Sequence, residues 1–426
     1  MIDYTVNAED EELQINGIGY FLNCIDDLIE IGEIGLFGAC RFNLKNFSII
    51  NDQLGRDNGT KVMRRFLDGL ELKIGVDHVL CRLGGDNFVL LFHKASLDQL
   101  RYYLTGQDIY VDEDESVYVS ASAGIFMMPE NGMNRHIIMD AISVAAKSAK
   151  DDESQDYIVF YDHALYEKDE REKYIHNVFS QAIENKEFKV YYQPKVNLKN
   201  YMMTGAEALC RWVHNEEVVS PGEFIPVYEK SQAICKLDFY MLEQVCKDLR
   251  RWLDEGRQVV RVSVNLSRRH LRNQKTLSNI LEIIDKYDIP HKYIEIELTE
   301  TTMDQNFDSI KRLVVGLKDN GIAASVDDFG TGYSSLNMLR EAPWEVLKID
   351  RSYLPDTKKY DEKRHSMLKH VIAIASDMGF ECIVKGVETL EQLKMIKRNN
   401  CFMAQGYYFD KPLPVEEFEE KLIYEQ

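Results

Sequence analysis

The sequence predicts an α/β chain, an N-terminal α+β domain followed by a (β/α)₈ barrel, and three observations carry that prediction. Through the second half, short strand-like runs recur, each followed by a helical pattern, and they number about eight, the count that closes such a barrel. The first half mixes helical and strand-like stretches and holds one hairpin signal, CRLGGDNFVLLF from Cys81 to Phe92. Between the halves, Tyr166 to Asn185 is charged and helical in pattern, opening on YEKDEREKY, which suits a linker helix with a solvated face. The expected boundaries are 1–163 for the first domain, 164–180 for the linker helix and 181–426 for the barrel.

The elements follow in order. Apolar runs flank Gly84 and Gly85, so two antiparallel strands meet there at a tight turn, and VSASAGIF (Val119 to Phe126) is a further, buried strand. The eight barrel runs are KVYYQP, GAEALCRW, VRVSVNLS, YIEIELTE, AASVDDFG, VLKIDRS, ECIVKGVE and AQGYYF. Leu237, Met241, Val245 and Leu249 recur every four residues, and Ile310, Leu313, Val314 and Leu317 share one face, so both segments are helices packed on a barrel.

Composition narrows the function classes. The 426 residues suffice for two or three domains, and 45% hydrophobic content supports substantial cores. A net charge of −20 argues against a nucleic-acid polymer or an anionic lipid surface as partner, so a small anionic ligand would need local cations. The eight cysteines are scattered without a CxxC pair and the ten histidines without HExxH, which disfavours disulfides and zinc. No secretory signal and no apolar run of about 18 residues is seen, so a cytoplasmic chain with no membrane span is expected.

Barrel enzymes gather their chemistry at the C-terminal ends of the strands. Here those ends carry Glu207, Asn265, Glu297 with Glu300, Asp327 with Asp328, Lys348, Lys385 with Glu388, and Gln405. The adjacent pair Asp327 and Asp328 ends an apolar run at a turn containing Gly330 and Gly332. Taken alone, Asp328 could cap the next helix while Asp327 is solvated. Acids and an amide from several successive strands instead suit an oxygen-ligated Mg²⁺ or Mn²⁺.

The second half, from about 175 to 426, resembles the EAL domain of bacterial cyclic di-GMP phosphodiesterases. The matching blocks are YYQP (Tyr191 to Pro194), EALCRW, FIP, VNLS, ELTE, DDFGTGYSSL, LKID, KGVET and AQGYYF. The resemblance implies hydrolysis of one phosphodiester to linear pGpG, with two divalent ions activating a water. It implies Glu207, Asn265, Glu297 and Asp327 as ligands of a first ion, with Asp327 bridging to a second ion that Asp328 also binds. Lys348 matches the lysine beside the attacking water, Gln405 the glutamine near it, and Glu300 the glutamate anchoring the DDFGTG loop. Gln193, Leu209, Arg211 and Glu388 match positions expected to line the dinucleotide, where Arg211 can donate to a phosphate.

One position departs from the pattern. Where the family's AEGVET has a second-ion glutamate, this chain has Lys385 in IVKGVET. An ammonium about 4 Å from a divalent cation costs roughly 8 kcal/mol at an effective dielectric of about 20, so the two exclude one another. Lys385 could pair with Asp328, lose its proton or swing away, and pairing with Asp328 is expected. One ion is thus expected at Asp327, with the second doubtful.

The first half resembles a GGDEF domain, the diguanylate cyclase module. Its hallmark is GGDNF, with Asn87 in place of an acid and Asp86 retained. Phe47, Ile50 to Asp52 and Lys150 match, whereas Asn43 replaces the metal-binding aspartate and Thr60 the usual guanine-binding aspartate. An RxxD inhibitory site is absent, since Gly75 and His78 stand there. These losses imply no cyclase activity. The expectation overall is a GGDEF and EAL tandem protein that binds cyclic di-GMP with hydrolysis weak or lost. An active phosphodiesterase is the alternative. GTP at the first half, a homodimer and a protein partner complete the expected partners.

Overall fold

The structure is a computed structural model that describes residues 13, 15–112, 115–151, 157–299, 307–330, 336–355 and 362–422. The chain divides into two compact units, Met1–Arg171 and Glu172–Gln426. Among the described residues no helix is long and apolar enough to cross a membrane.

The first unit is built on a six-stranded sheet in the order Asn16–Gly17, His78–Gly84, Asn87–His93, Phe37–Leu44, Ala121–Met127, Ile158–Phe160. The expected hairpin is present, His78–Gly84 running antiparallel to Asn87–His93 with Gly84 and Gly85 at φ 133° and 57°. Its second strand is apolar at every interior position because helices cover both faces of the sheet. Phe88, Leu90 and Phe92 enter a core with Phe66 and Leu67 of helix Arg56–Ile74, while Val89 and Leu91 enter another with Phe21, Ile25, Ile138 and Ile142. The buried strand Ala121–Met127 lies so close to helix Arg135–Asp151 that a Cβ at Gly124 would collide with the Ala146 backbone.

The second unit is a closed eight-stranded barrel with β1 Phe188–Asn197, β2 Met203–His214, β3 Arg261–Asn265, β4 Ile294–Thr299, β5 Ala323–Phe329, β6 Val346–Ile349, β7 Glu381–Val384 and β8 Met403–Ala404. These are the eight runs recognised in the sequence. One feature differs from an all-parallel (β/α)₈ barrel: β1 runs antiparallel to both β2 and β8, while β2 to β8 are parallel. No helix follows β1, because the few residues between Asn197 and Met203 can form a hairpin but not a crossover.

Alternation along the strands sorts the side chains. Ile294, Ile296 and Leu298 of β4 and Ala324 and Val326 of β5 face the surrounding helices, where Leu237, Met241, Val245, Leu249, Ile310, Val314 and Leu317 are buried. The residues between them face the barrel axis, and these are polar. The segment expected as a linker lies within helix His163–Glu184; its charged start is largely exposed, but Ile175, Phe179 and Ala182 are buried in the barrel unit with Phe188, Phe224 and Tyr228.

Candidate active site

Inside the barrel, Glu207 of β2, Glu297 of β4 and Asp327 of β5 each offer a carboxylate oxygen, and these atoms lie within 4.8 Å of one another. All three are buried. Asn265, at the end of β3, donates from Nδ2 to Glu207 Oε1 at 3.4 Å, and Gln405, just past β8, donates from Nε2 to Glu207 Oε2 at 2.7 Å and to Gln193 Oε1 at 2.9 Å. Gln193 in turn donates to the Asp410 carbonyl at 3.1 Å. The strand register therefore brings side chains from distant parts of the sequence onto one axis.

Lysines counter this concentration of acid. Lys348 is fully buried on β6; its Nζ hydrogen-bonds Glu297 Oε1 and reaches Ser263 Oγ at 3.3 Å and Glu207 Oε2 at 3.7 Å. Burial and the nearby Lys195 ammonium push the Lys348 pKa well below the usual lysine value, against the pull of Glu207 and Glu295. Burial acts to raise the Glu207 carboxyl, but Lys385, Lys348 and Lys195 outweigh it and hold it well below the usual range.

Lys385 follows β7 and its Nζ donates to Asp327 Oδ1 at 2.7 Å, Asp327 Oδ2 at 2.8 Å and Asp328 Oδ1 at 3.0 Å. The expected pairing with Asp328 is there, yet the ammonium lies across both oxygens of Asp327 as well. The sequence predicts a cation alone at Asp327. Geometry explains the difference: Asp327 faces the barrel axis, where Lys385 points, while Asp328 takes a left-handed backbone conformation at φ 51° and is half-exposed. Burial works against the Lys385 charge, but Glu207, Asp327 and Asp328 outweigh it and raise its pKa. Burial likewise raises Asp327 to about 7; Lys385 opposes that rise, and Glu207 and Asp328 reinforce it. An ammonium, not an amine, faces both aspartates.

The donor set fits one hard cation. Glu297 Oε2 and Gln405 Oε1 are buried without a hydrogen-bond partner among the described residues and, with Glu207, offer oxygen chemistry suited to Mg²⁺ or Mn²⁺, whereas both oxygens of Asp327 are engaged by Lys385. The Lys385 ammonium lies between Asp327 and Asp328, where the resemblance implies a second ion.

The remaining predicted residues are dispersed. Leu209 and Arg211 lie two and four residues beyond Glu207 on the same face of β2, with Arg211 Nη1 on the Cys210 carbonyl at 2.8 Å and its guanidinium near the Tyr191 ring. Glu388 is exposed, 3.7 Å from Arg351, and not with the buried carboxylates. Glu300 lies outside the described residues. Lys195, Ser263 and Glu295, all buried, are not singled out by the sequence, although Ser263 and Glu295 stand two residues before Asn265 and Glu297 and Lys195 stands two residues after Gln193 on the same strand. That two-residue period was the available signal.

In the first unit, Asn43 and Asn87 lie opposite each other in the sheet, and both carboxamides bond Asp86, Asn43 to its carbonyl at 3.2 Å and Asn87 to its carboxylate at 3.1 Å. The positions where acids are missing are thus adjacent in space. Thr60 lies on helix Arg56–Ile74 next to Gly59, whose missing Cβ leaves room for the Asn51 carboxamide.

Residues 176–412 match the EAL domain family model, and residues 35–156 match that of the diguanylate cyclase GGDEF domain. The chain is 30% identical over 389 residues to the signaling protein YkoW of Bacillus subtilis, covering 89% of this chain and 48% of YkoW. It is 29% identical over 388 residues to the bifunctional diguanylate cyclase/cyclic di-GMP phosphodiesterase MucR of Pseudomonas aeruginosa, covering 89% of this chain and 56% of MucR. The chain spans about half the length of the curated relatives it matches. A solved structure, the PaMucR phosphodiesterase in complex with c-di-GMP, aligns over 57% of this chain and 99% of its own with a TM-score of 0.55 and 30% identity. With both models matched in sequence order and a closed barrel beneath the second, the chain belongs to the EAL domain family and carries a GGDEF domain ahead of its EAL barrel.

Proposed function

We propose that the barrel binds cyclic di-GMP and hydrolyses it weakly or not at all, and that the GGDEF half makes none. The Lys385 ammonium bridging Asp327 and Asp328 carries this reading. Glu207, Asn265 and Glu297 would hold one Mg²⁺ or Mn²⁺, with Asp327 joining them as Lys385 gives up one of its oxygens and keeps Asp328. Such an ion supplies Lewis acidity and an activated water when bound. Gln193, Leu209 and Arg211 would line the ligand, Arg211 exchanging its bond to the Cys210 carbonyl for a phosphate oxygen. Lys348 would present its nitrogen beside the scissile phosphate, with Gln405 fixing Glu207. In the other half, amides at positions 43 and 87 cannot supply the charge that nucleotidyl transfer on a metal triphosphate needs.

A second reading, a phosphodiesterase working on one ion, is favoured by the intact cluster of Glu207, Glu297 and Asp327. Calorimetric titration with cyclic di-GMP in Mg²⁺, Mn²⁺ or Ca²⁺, together with a pGpG assay, separates the two. The expected result is binding without turnover in the parent, with turnover rising roughly 100-fold in Lys385→Glu as the second ion site returns. Parent hydrolysis at the rate of relatives with an acid at this position would sink the binding reading. Failure of Lys385→Glu to gain turnover while it still binds ligand would remove Lys385 as the cause.

A further inference from the structure

Glu297 is held from one side only. Its Oε1 takes a hydrogen bond from Lys348 Nζ and lies 3.6 Å from Lys195 Nζ, while Oε2 is buried with no hydrogen-bond partner among the described residues. The last torsion of a glutamate is broad and roughly two-fold, so a carboxylate without a fixed partner would exchange its two oxygens freely. Two lysine nitrogens beside the same oxygen, one of them hydrogen-bonded to it, remove that freedom.

Lys348 approaches from β6, at the level of the site. Lys195 comes from β1 and is fixed by two buried partners, its Nζ donating to Ser263 Oγ at 2.8 Å and to Glu295 Oε1 at 3.1 Å. Ser263 Oγ also accepts from Lys348 at 3.3 Å and donates to the Ala206 carbonyl at 3.3 Å, so one hydroxyl sets the spacing of both lysine nitrogens. Glu295 is fully buried, and its Oε2 lies 3.2 Å from Arg261 Nε. Placing a lysine and a glutamate deep in a barrel costs several kcal/mol per ion before pairing returns anything, and a pair of apolar residues would fill the space at no such cost. The pair therefore calls for a role that apolar packing could not fill.

We propose that Lys195, backed by Ser263 and Glu295, is a positioning residue that fixes the Glu297 carboxylate so that Oε2 is the oxygen left for a divalent cation. This rests on the one-cation reading above. Groups that orient a metal ligand from behind typically change metal affinity by roughly 10- to 100-fold when removed.

The test is Mn²⁺ binding to the full chain, followed by electron paramagnetic resonance of the free ion and by calorimetry, with thermal melting alongside. Lys195→Met, Ser263→Ala and the double variant Lys195→Met with Glu295→Gln are compared with the parent, and Glu297→Gln locates the site. Positioning predicts Mn²⁺ binding weaker by roughly 10- to 100-fold in all three. A pure charge effect has the opposite sign, since deleting an ammonium near a cation site tightens binding. Equal or tighter Mn²⁺ binding in Lys195→Met and in the double variant overturns the proposal. The double variant removes an acid and a base together, so it carries the test with Ser263→Ala if Lys195→Met fails to fold. A parent that binds no Mn²⁺ overturns the one-cation reading and this proposal with it, an outcome distinct from a parent that binds and a variant that binds as well.

Discussion

The Lys385 ammonium makes three hydrogen bonds to two carboxylates, and bonds of this charged kind are each worth about 1.5–3 kcal/mol. Removing only the lysine would leave Asp327 buried beside Asp328 and Glu207 with its countercharge gone, which in buried pairs costs about 3–5 kcal/mol. Lys385→Met is therefore expected to melt well below the parent in chelator. Because a divalent cation can then take the vacated place, millimolar Mn²⁺ should raise its melting temperature by several degrees more than it raises the parent's. Equal shifts in the two proteins would show that Lys385 and the cation do not compete. At this scale the sequence was informative about identities and weak about contacts. Register against GVET placed a lysine where an acid belongs, and the adjacent acids named its partners. Which aspartate it would hold depended on the backbone at Asp328, whose left-handed conformation turns that side chain outward, and no local pattern signals this.

Among the elements, β1 and β2 form an antiparallel hairpin in the barrel wall, and its open end is held by Glu187. That carboxylate accepts from Trp212 Nε1 at 2.9 Å and Asn185 Nδ2 at 3.1 Å, and lies 2.7 Å from His214 Nδ1. Burial acts to raise its pKa, but the bonds from Trp212 and His214 outweigh burial and hold it below the usual carboxylate value. A depressed acid contributes stability that is present above its unfolded pKa, about 4.3, and is lost as pH falls through its folded pKa. Glu187→Gln should cost about 1–2 kcal/mol at pH 7, and the difference from the parent should shrink in urea titrations carried below pH 4. A pH-independent difference would assign the cost to packing alone. Strand identity was legible here because alternation is strong in runs such as IEIEL. Strand direction was not, since the same alternation serves a parallel or an antiparallel neighbour; only the short connection from Asn197 to Met203 held that information.

For the whole molecule, both domains and their order could be read from the chain, because each contributes a dense series of motifs and a core of its own. What could not be read was how helix His163–Glu184 is used. Its charge run suggested a solvated linker, yet Ile175, Phe179 and Ala182 recur at helical spacing and complete the barrel core. A chain starting at Glu172 should melt cooperatively as a barrel, whereas one starting at Glu187 loses about 5 kcal/mol of buried Ile and Phe and should not. Similar melting of the two would demote the helix to a spacer. The reversed first strand then acquires a meaning beyond closure of the wall. Because Phe188 pairs with Trp212, and Leu209 with Tyr191, the polypeptide enters this barrel at its mouth and not at its floor. Tyr174 of the entering helix already touches His214 at that rim, 2.7 Å from its Nε2. The helix leading into the barrel is thus fastened to the same end of β2 that carries Leu209 and Arg211.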